Sequence, residues 1–379
     1  MAPRPGGSSV IAMTPSGEFR VGLVLGAGGV LGAAWLVGAL EAIAAESGWD
    51  PGSAERIVGT SAGSIVGALL ACGVPAWLMV AHSAGEELDG LADAGGKPVA
   101  TAGHWNGASF RVHRGAPALG PGSWRLALGA LARPYRHAPA TLLAGVLPDG
   151  PLSTDPIRET VRSACPRGWA PHPGMWAVAV DYGSGRRVVF GRRDAPAAEL
   201  ADAVAASCAI PGFYRSVRIG DRRYVDGGMR STSNLDLLAS EGLDLVICLN
   251  PTSSLHAGDP RTLGERMAFA LRQRSGRQLG TEAAKVTSAG TEVMLLQPTV
   301  HDLDVMGTNL MSRSRRHAVI ETAVRTVTAH LRDSPVGERL ARMAPGTPAL
   351  VRRPPGTPAS WPDLHAAARR RWPPREAAA

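Results

Sequence analysis

Residues 56–72 read RIVGTSAGSIVGALLAC. Arg56 to Val58 reads as a short strand, and Ala62 to Cys72 carries apolar residues at helical density until Gly73 ends the run, so the stretch predicts a strand turning sharply into a helix. The turn is Gly59-Thr60-Ser61-Ala62-Gly63, a G-x-S-x-G pattern. Small residues on both sides of a serine let such a turn tighten until the hydroxyl projects, as a nucleophile elbow requires. Gly and Ala are abundant in this chain, so the pentapeptide alone also fits a structural turn. Its place between strand and helix is what favours Ser61 as a nucleophile.

Upstream, Phe19 to Leu25 reads as a buried strand, Gly26-Ala27-Gly28-Gly29 as a glycine-rich turn, and Val30 to Glu46 as a helix running to Gly48. The chain therefore opens βαβα, and parallel strands joined this way present their carboxyl-end loops side by side. The N–H groups of the glycine-rich turn point where negative charge would be stabilised, so the turn fits an oxyanion hole, a phosphate cradle or a purely structural bend. The dinucleotide pattern G-x-G-x-x-G fails, because Leu31 holds the third glycine position and Gly32 comes one residue late. One β-α-β crossover separates Gly29 from Ser61, so the two loops are expected to be neighbours.

Downstream, Met175 to Val180, Val188 to Phe190, Val217 to Ile219, Leu243 to Leu249 and Val293 to Leu296 read as further strands. Asp226-Gly227-Gly228 follows an expected strand at Arg223 to Val225; alone, Asp-Gly most often marks a turn. Between about Glu86 and Thr154 the pattern weakens. Gly and Pro mix there with Trp105, Trp124 and Tyr135 and an amphipathic helix at Ser123 to Ala132, which reads as a cap over the site or as a surface excursion. Met1 to Gly17 and Pro335 to Ala379 have the composition of disordered ends, leaving an ordered part from residue 18 to 334.

Composition narrows the classes. With 379 residues and 45% apolar content the chain can bury a large core. Cys72, Cys165, Cys208 and Cys248 are widely spaced, with no zinc or disulfide framework, and read as buried free thiols. The net charge of +8 comes from arginine, since Lys97 and Lys285 are the only lysines. The last 45 residues alone hold eight Arg against Glu338, Asp363 and Glu376, a net +5, so most of the excess charge lies outside the ordered part; such a tail attracts anionic lipid or RNA but is more often solvated, and no nucleic-acid partner is expected. Val21 to Leu40 is uncharged and long enough to raise a membrane span, but its six glycines fit strand, loop and helix better. No Sec signal is evident in Met1 to Gly17, and a cytoplasmic or peripheral-membrane location is the default.

Taken together, these motifs resemble the patatin-like phospholipase family. The order is a glycine-rich loop, G-x-S-x-G, then Ala206-Ser207-Cys208-Ala209-Ile210-Pro211-Gly212-Phe213, which is similar to the family's S-x-A-x-P segment, then Asp226-Gly227-Gly228. Leu152 to Val161 and Met306 to Arg316 extend the similarity, which spans about Gly22 to Leu331. The resemblance implies a three-layer α/β/α domain with a mostly parallel central sheet and a nucleophile elbow. It implies a Ser-Asp pair in place of a triad: Ser61 attacks an acyl carbonyl, Asp226 acts as general base and acid, and Gly28, Gly29 and Val30 donate N–H groups to the oxyanion. Gly26, Gly32, Gly59, Gly63, Gly227 and Gly228 shape these loops. No metal or organic cofactor is implied. The implied substrate is a lipid acyl ester, with acyl transfer, thioester cleavage or a weakly catalytic lipid-binding role as alternatives. One departure is Leu31, where the family often has Arg or Lys; this removes a cationic contribution and weakens the phospholipid reading more than the hydrolase reading. A Ser-Asp-His triad using His301, His317 or His330 is disfavoured, because that fold places its nucleophile after several strands. His301-Asp302-Leu303-Asp304 matches no metal motif.

Overall fold

The structure is a computed structural model, and it describes residues 19–83, 110–113, 120–126, 145–254, 262–333 and 335. Its first four elements are β1 (Val21–Leu25), α1 (Gly29–Ser47), β2 (Arg56–Thr60) and α2 (Ala62–Ala71), followed by α3 (Ala76–Ser83). Next come β3 (Arg111–Val112), β4 (Leu152–Ser153), α4 (Asp155–Ala164), β5 (Met175–Asp181), β6 (Arg187–Phe190) and α5 (Leu200–Ser207). The remainder is β7 (Val217–Ile219), β8 (Arg222–Asp226), β9 (Leu245–Leu249), α6 (Leu263–Ser288), β10 (Glu292–Leu296), α7 (Val300–Met306) and α8 (Arg316–Arg332).

Strands β10, β9, β1, β2 and β5 form a parallel sheet in that order. Strands β6 and β8 add antiparallel to β5, and β7 to β8. The sheet is therefore mixed but mostly parallel, with helices on both faces, as a three-layer α/β/α fold requires. Its parallel strands are apolar at successive positions because both faces are covered. Leu23, Leu25, Ile57, Met175, Ile247 and Leu249 face the core shared with α1, α2 and α8. Their sequence neighbours Val24, Val58, Trp176, Val246 and Cys248 face the opposite core, closed by Leu279 and Val286 of α6.

From β1 the chain crosses to β2 through α1 on one face, and from β9 it crosses outward to β10 through α6 on the other. The strand order thus reverses between β1 and β9, and in open α/β sheets such a switch point opens a crevice at the carboxyl ends of the strands. The uncharged run at Val21 to Leu40 is accounted for inside the domain. Helix α1 is long and apolar enough to cross a membrane, yet Leu31, Trp35, Leu36, Leu40 and Ile43 are fully buried. It runs alongside α8, with Gly38 against the Ile320 carbonyl and Glu46 paired to Arg332 at 2.8 Å.

The expected disordered segments, apart from Pro335, and most of the expected cap at 86–154 lie outside the described residues; of its helix at 123–132, residues 124–126 are described and helical. Of the cap, Arg111–Val112 pairs antiparallel with Leu152–Ser153, and Phe110 stands edge-on to Phe213 at 5.7 Å.

The packing of α2 on β1 leaves no room at Gly63, where an added Cβ would collide with the Leu25 carbonyl and with Gly26 O. At Gly48, the left-handed C-cap of α1 (φ 69°), an added Cβ meets open space. Gly63→Ala is expected to cost more than about 3 kcal/mol, because backbone must move in a packed layer, whereas Gly48→Ala costs only about 1 kcal/mol of backbone strain. Thermal unfolding of the two variants checks this; equal losses would contradict it.

Candidate active site

The pairing along β5 brings two distant residues together. Strand β2 pairs with Met175 to Val178, β6 with Ala177 to Val180, and β8 with Ala179 to Asp181. Since Ala177 and Val178 have partners in both β2 and β6, and Ala179 and Val180 in both β6 and β8, strands β2 and β8 must share one edge of β5. They meet there head-on, with Thr60 opposite Val178 and Asp226 opposite Ala179. Ser61, the residue after Thr60, thereby comes beside Asp226, where its hydroxyl favours the ionised carboxylate.

The turn holding Ser61 is strained. Ser61 has φ 52° and ψ −123°, a conformation that a residue with a side chain rarely adopts and that costs on the order of 1–3 kcal/mol. Surrounding bonds fix it. The Ser61 N–H donates to Ser207 Oγ at 2.9 Å, Ser207 in turn donates to the Val178 carbonyl at 2.6 Å, and Ser64 Oγ donates to the Ser61 carbonyl at 2.6 Å. Gly59 lies in β2 directly below the turn, and Gly63 in the first turn of α2, whose N-terminal end points its dipole at Ser61.

Asp226 is buried, at 4% exposure, and its backbone N–H donates to the Ala209 carbonyl at 3.0 Å. Burial pushes its carboxyl up from 3.8 to about 6, against the opposing influence of the Ser61 hydroxyl and of the Gly228 N–H, which donates to it at 2.7 Å. Gly227 begins the short turn that places Gly228 for this bond. Cys208 borders both groups, and burial together with the Asp226 charge pushes its thiol well up.

The glycine-rich loop stands beside this pair at the start of α1. Gly26 N–H donates to the Leu249 carbonyl at 2.9 Å, Ala27 N–H to Thr232 O at 2.8 Å, and Leu31 N–H to Leu310 O at 2.9 Å. The carbonyl of Gly28 accepts from Gly32 N–H at 2.9 Å. Among the described residues, nothing accepts from the N–H groups of Gly28, Gly29 and Val30. Leu31 is fully buried, so the departure from Arg or Lys is a core side chain here and leaves the loop's backbone donors in place.

Gly29, Val30 and Ser61 open onto an apolar cavity. Val37 of α1, Ile65 and Leu69 of α2, Met79 of α3 and Ile157 of α4 line it, with Ile210, Tyr214, Met311 and Arg316.

A family model for patatin-like phospholipase matches residues 23–239. The chain belongs to the patatin-like phospholipase family. A comparison with curated proteins gave no match. As a patatin-like protein the chain carries a lipid acyl hydrolase domain, and its matched span takes in the loop, the Ser61 turn and Asp226. Strands β9 and β10 follow the matched span yet belong to the same sheet.

Of the histidines raised for a triad, His301 and His330 are exposed, and neither they nor His317 line the cavity. The lining does include His82, at the end of α3, which the sequence reading passes over. Asp302 of the acidic cluster caps α7, accepting from Thr299 N–H at 2.8 Å and Thr326 Oγ1 at 3.0 Å. Two supporting residues carry no motif. Asn234, at φ 56°, donates to Thr60 Oγ1 at 3.0 Å, and Asn250 underlies the glycine-rich loop at Gly26. Ser207 lies inside the quoted segment 206–213, so its position is visible in sequence but its bond to the Ser61 N–H is not.

The fold binds the Asp226 proton more tightly than the unfolded chain does. Its stabilising share is therefore fully present below the unfolded value near 3.8 and lost as pH rises through about 6. Above that the buried charge costs about 3 kcal/mol, at 1.4 kcal/mol per pKa unit. Asp226→Asn is expected to unfold at a higher temperature than the parent at pH 8, with the gain shrinking toward pH 5. A parent curve flat between pH 5 and 8 would contradict it.

Proposed function

We propose that this protein hydrolyses acyl esters of lipids through a Ser61–Asp226 pair. The observation that carries the reading is a buried carboxylate brought beside a serine on a strained turn by the head-on meeting of β2 and β8, with an apolar cavity lined by that serine. Family membership supports the lipid substrate class.

In this mechanism the acyl chain lies in the cavity and its carbonyl carbon sits against Ser61 Oγ. As Oγ attacks, Asp226 takes the hydroxyl proton, and the carbonyl oxygen becomes an oxyanion held by N–H groups from Gly28, Gly29 and Val30. The tetrahedral intermediate collapses to an acyl-serine, and Asp226 returns the proton to the departing alcohol oxygen. Water then attacks the acyl-serine, giving its proton to Asp226. Collapse releases the fatty acid and restores the Ser61 hydroxyl with that proton. A base with its pKa near 6 is ionised at neutral pH yet basic enough to assist, whereas an ordinary carboxylate near 4 gives weaker assistance.

A fluorophosphonate probe is expected to label the parent at Ser61, with Ser61→Ala unlabelled and turnover lowered by several orders of magnitude. Labelling that persists at another serine removes the assignment.

Because only the ionised carboxylate accepts a proton, kcat/KM should fall about tenfold per pH unit below pH 6. Folded Asp226→Asn should lose roughly 10² to 10⁴ of the activity and that acid limb with it. His82→Ala, His301→Ala, His317→Ala and His330→Ala should each keep most activity. A single folded histidine variant as impaired as Ser61→Ala would instead require a histidine base.

A further inference from the structure

We infer that the N-terminal end of α6 is a docking surface for an anionic lipid bilayer, an inference that rests on the lipid-ester reading above. A helix of 26 residues is about 39 Å long, while a five-residue strand of the sheet spans only about 17 Å. The helix returns from β9 to β10 and so starts at the carboxyl edge of the sheet. Its second half is spent on the sheet, where Leu279 and Val286 are buried. Arg272 marks the rim, its side chain donating to the Pro251 carbonyl at 3.1 Å just past the end of β9. The turns before Arg272 consequently overshoot the sheet at the edge where Ser61 and the glycine-rich loop stand.

On that overshoot Met267 and Leu271, one turn apart on one face, are 62% and 67% exposed. Exposed Arg274 continues the same face, and exposed Arg277 flanks it. Glu265 is held in a capping box with Thr262 at the helix start, with 3.1 and 3.2 Å bonds, so the face behind the apolar tip is basic. An apolar tip with an arginine collar is complementary to a bilayer: thioether and isobutyl groups enter the acyl boundary while guanidinium groups meet lipid phosphates. Pro251, which Arg272 grips, also packs on Gly28 and Gly32 of the glycine-rich loop. Docking through this end therefore sets the loop and the cavity toward the lipid surface. Met267 and Leu271 anchor the chain there, and Arg274 and Arg277 give the preference for anionic lipid.

The test uses the full chain and vesicles of non-hydrolysable ether-linked phosphatidylcholine, with and without ether-linked phosphatidylglycerol. Binding is expected to be stronger with phosphatidylglycerol, and amide exchange over 263–271 should slow on binding. Met267→Asp with Leu271→Asp should weaken binding to both vesicles, and Arg274→Glu with Arg277→Glu should weaken it by roughly tenfold or more on the anionic vesicles alone. All these variants should hydrolyse a soluble short-chain ester like the parent. Undiminished vesicle binding by the Met267/Leu271 variant overturns the inference, as does a parent dimer in solution that this variant dissociates. Ester hydrolysis without vesicle binding sinks the docking surface and leaves the hydrolase reading standing; vesicle binding through these residues without ester hydrolysis does the reverse.

Discussion

The site depends on one constraint of sheet geometry: β2 and β8 occupy the same edge of β5 and meet end to end. Backbone pairing fixes Thr60 opposite Val178 and Asp226 opposite Ala179, so the approach of Ser61 to Asp226 is set by ladder hydrogen bonds and not by flexible side chains. A shift of one residue in either strand would turn its side chains to the opposite face. The bonds from Ser61 to Ser207 and on to the Val178 carbonyl tie the turn to that same register. A strained φ survives where its surroundings over-determine it, and here both the preceding strand and the following helix are pinned.

Electrostatics follow from the same junction. The end of β8 is deep in the sheet, so Asp226 has little solvent to stabilise its charge, and against it stand only the Gly228 N–H at 2.7 Å and the neighbouring Ser61 hydroxyl. That poverty of partners raises the pKa and costs stability at neutral pH. By contrast Asp181, at the other end of the Asp226 pairing, accepts from Gly183 and Ser184 N–H groups and pairs with Arg222, and its pKa falls despite burial. Two buried aspartates on neighbouring strands thus diverge because one is given two backbone donors and a guanidinium and the other a single backbone donor beside a hydroxyl.

Local signals made much of this legible in the sequence. Parallel strands buried on both faces are continuous apolar runs, so the expected strands match the observed ones to within two residues at most ends, and the small residues around Ser61 announce the tight turn. Asp226 was different. By itself Asp-Gly-Gly reads as a turn, and only the order of motifs linked it to Ser61, because a head-on meeting on a third strand leaves no mark in either segment. Asn234 and Asn250 act through single side-chain contacts that no periodicity encodes. The long helix α6 has no counterpart in the sequence reading, since Gly264, Gly276 and Gly280 and the arginines between them blur its apolar period. The cap reading at 86–154 falls mostly on residues outside the description.

Leu31 shows how one departure from a family pattern is absorbed. The side chain is fully buried, so a cation there would have to be driven into the core or would force α1 to rotate. What holds the loop instead is backbone: Gly26 to β9, Ala27 to Thr232 and Leu31 to Leu310, with the Pro251 ring against Gly28 and Gly32. These anchors consume the N–H groups on either side and leave those of Gly28, Gly29 and Val30 at the positive end of a 19-residue helix. On the proposed mechanism, charge developing on the acyl oxygen is met by fixed dipoles that need no rearrangement as the reaction proceeds, whereas a long cationic side chain would have to be ordered first. The loop therefore depends for its shape on β9 and on the segment before α8, which follow the family-matched span, and on the proposed mechanism a change at Leu310 or Pro251 would act on the oxyanion donors through the loop's backbone alone.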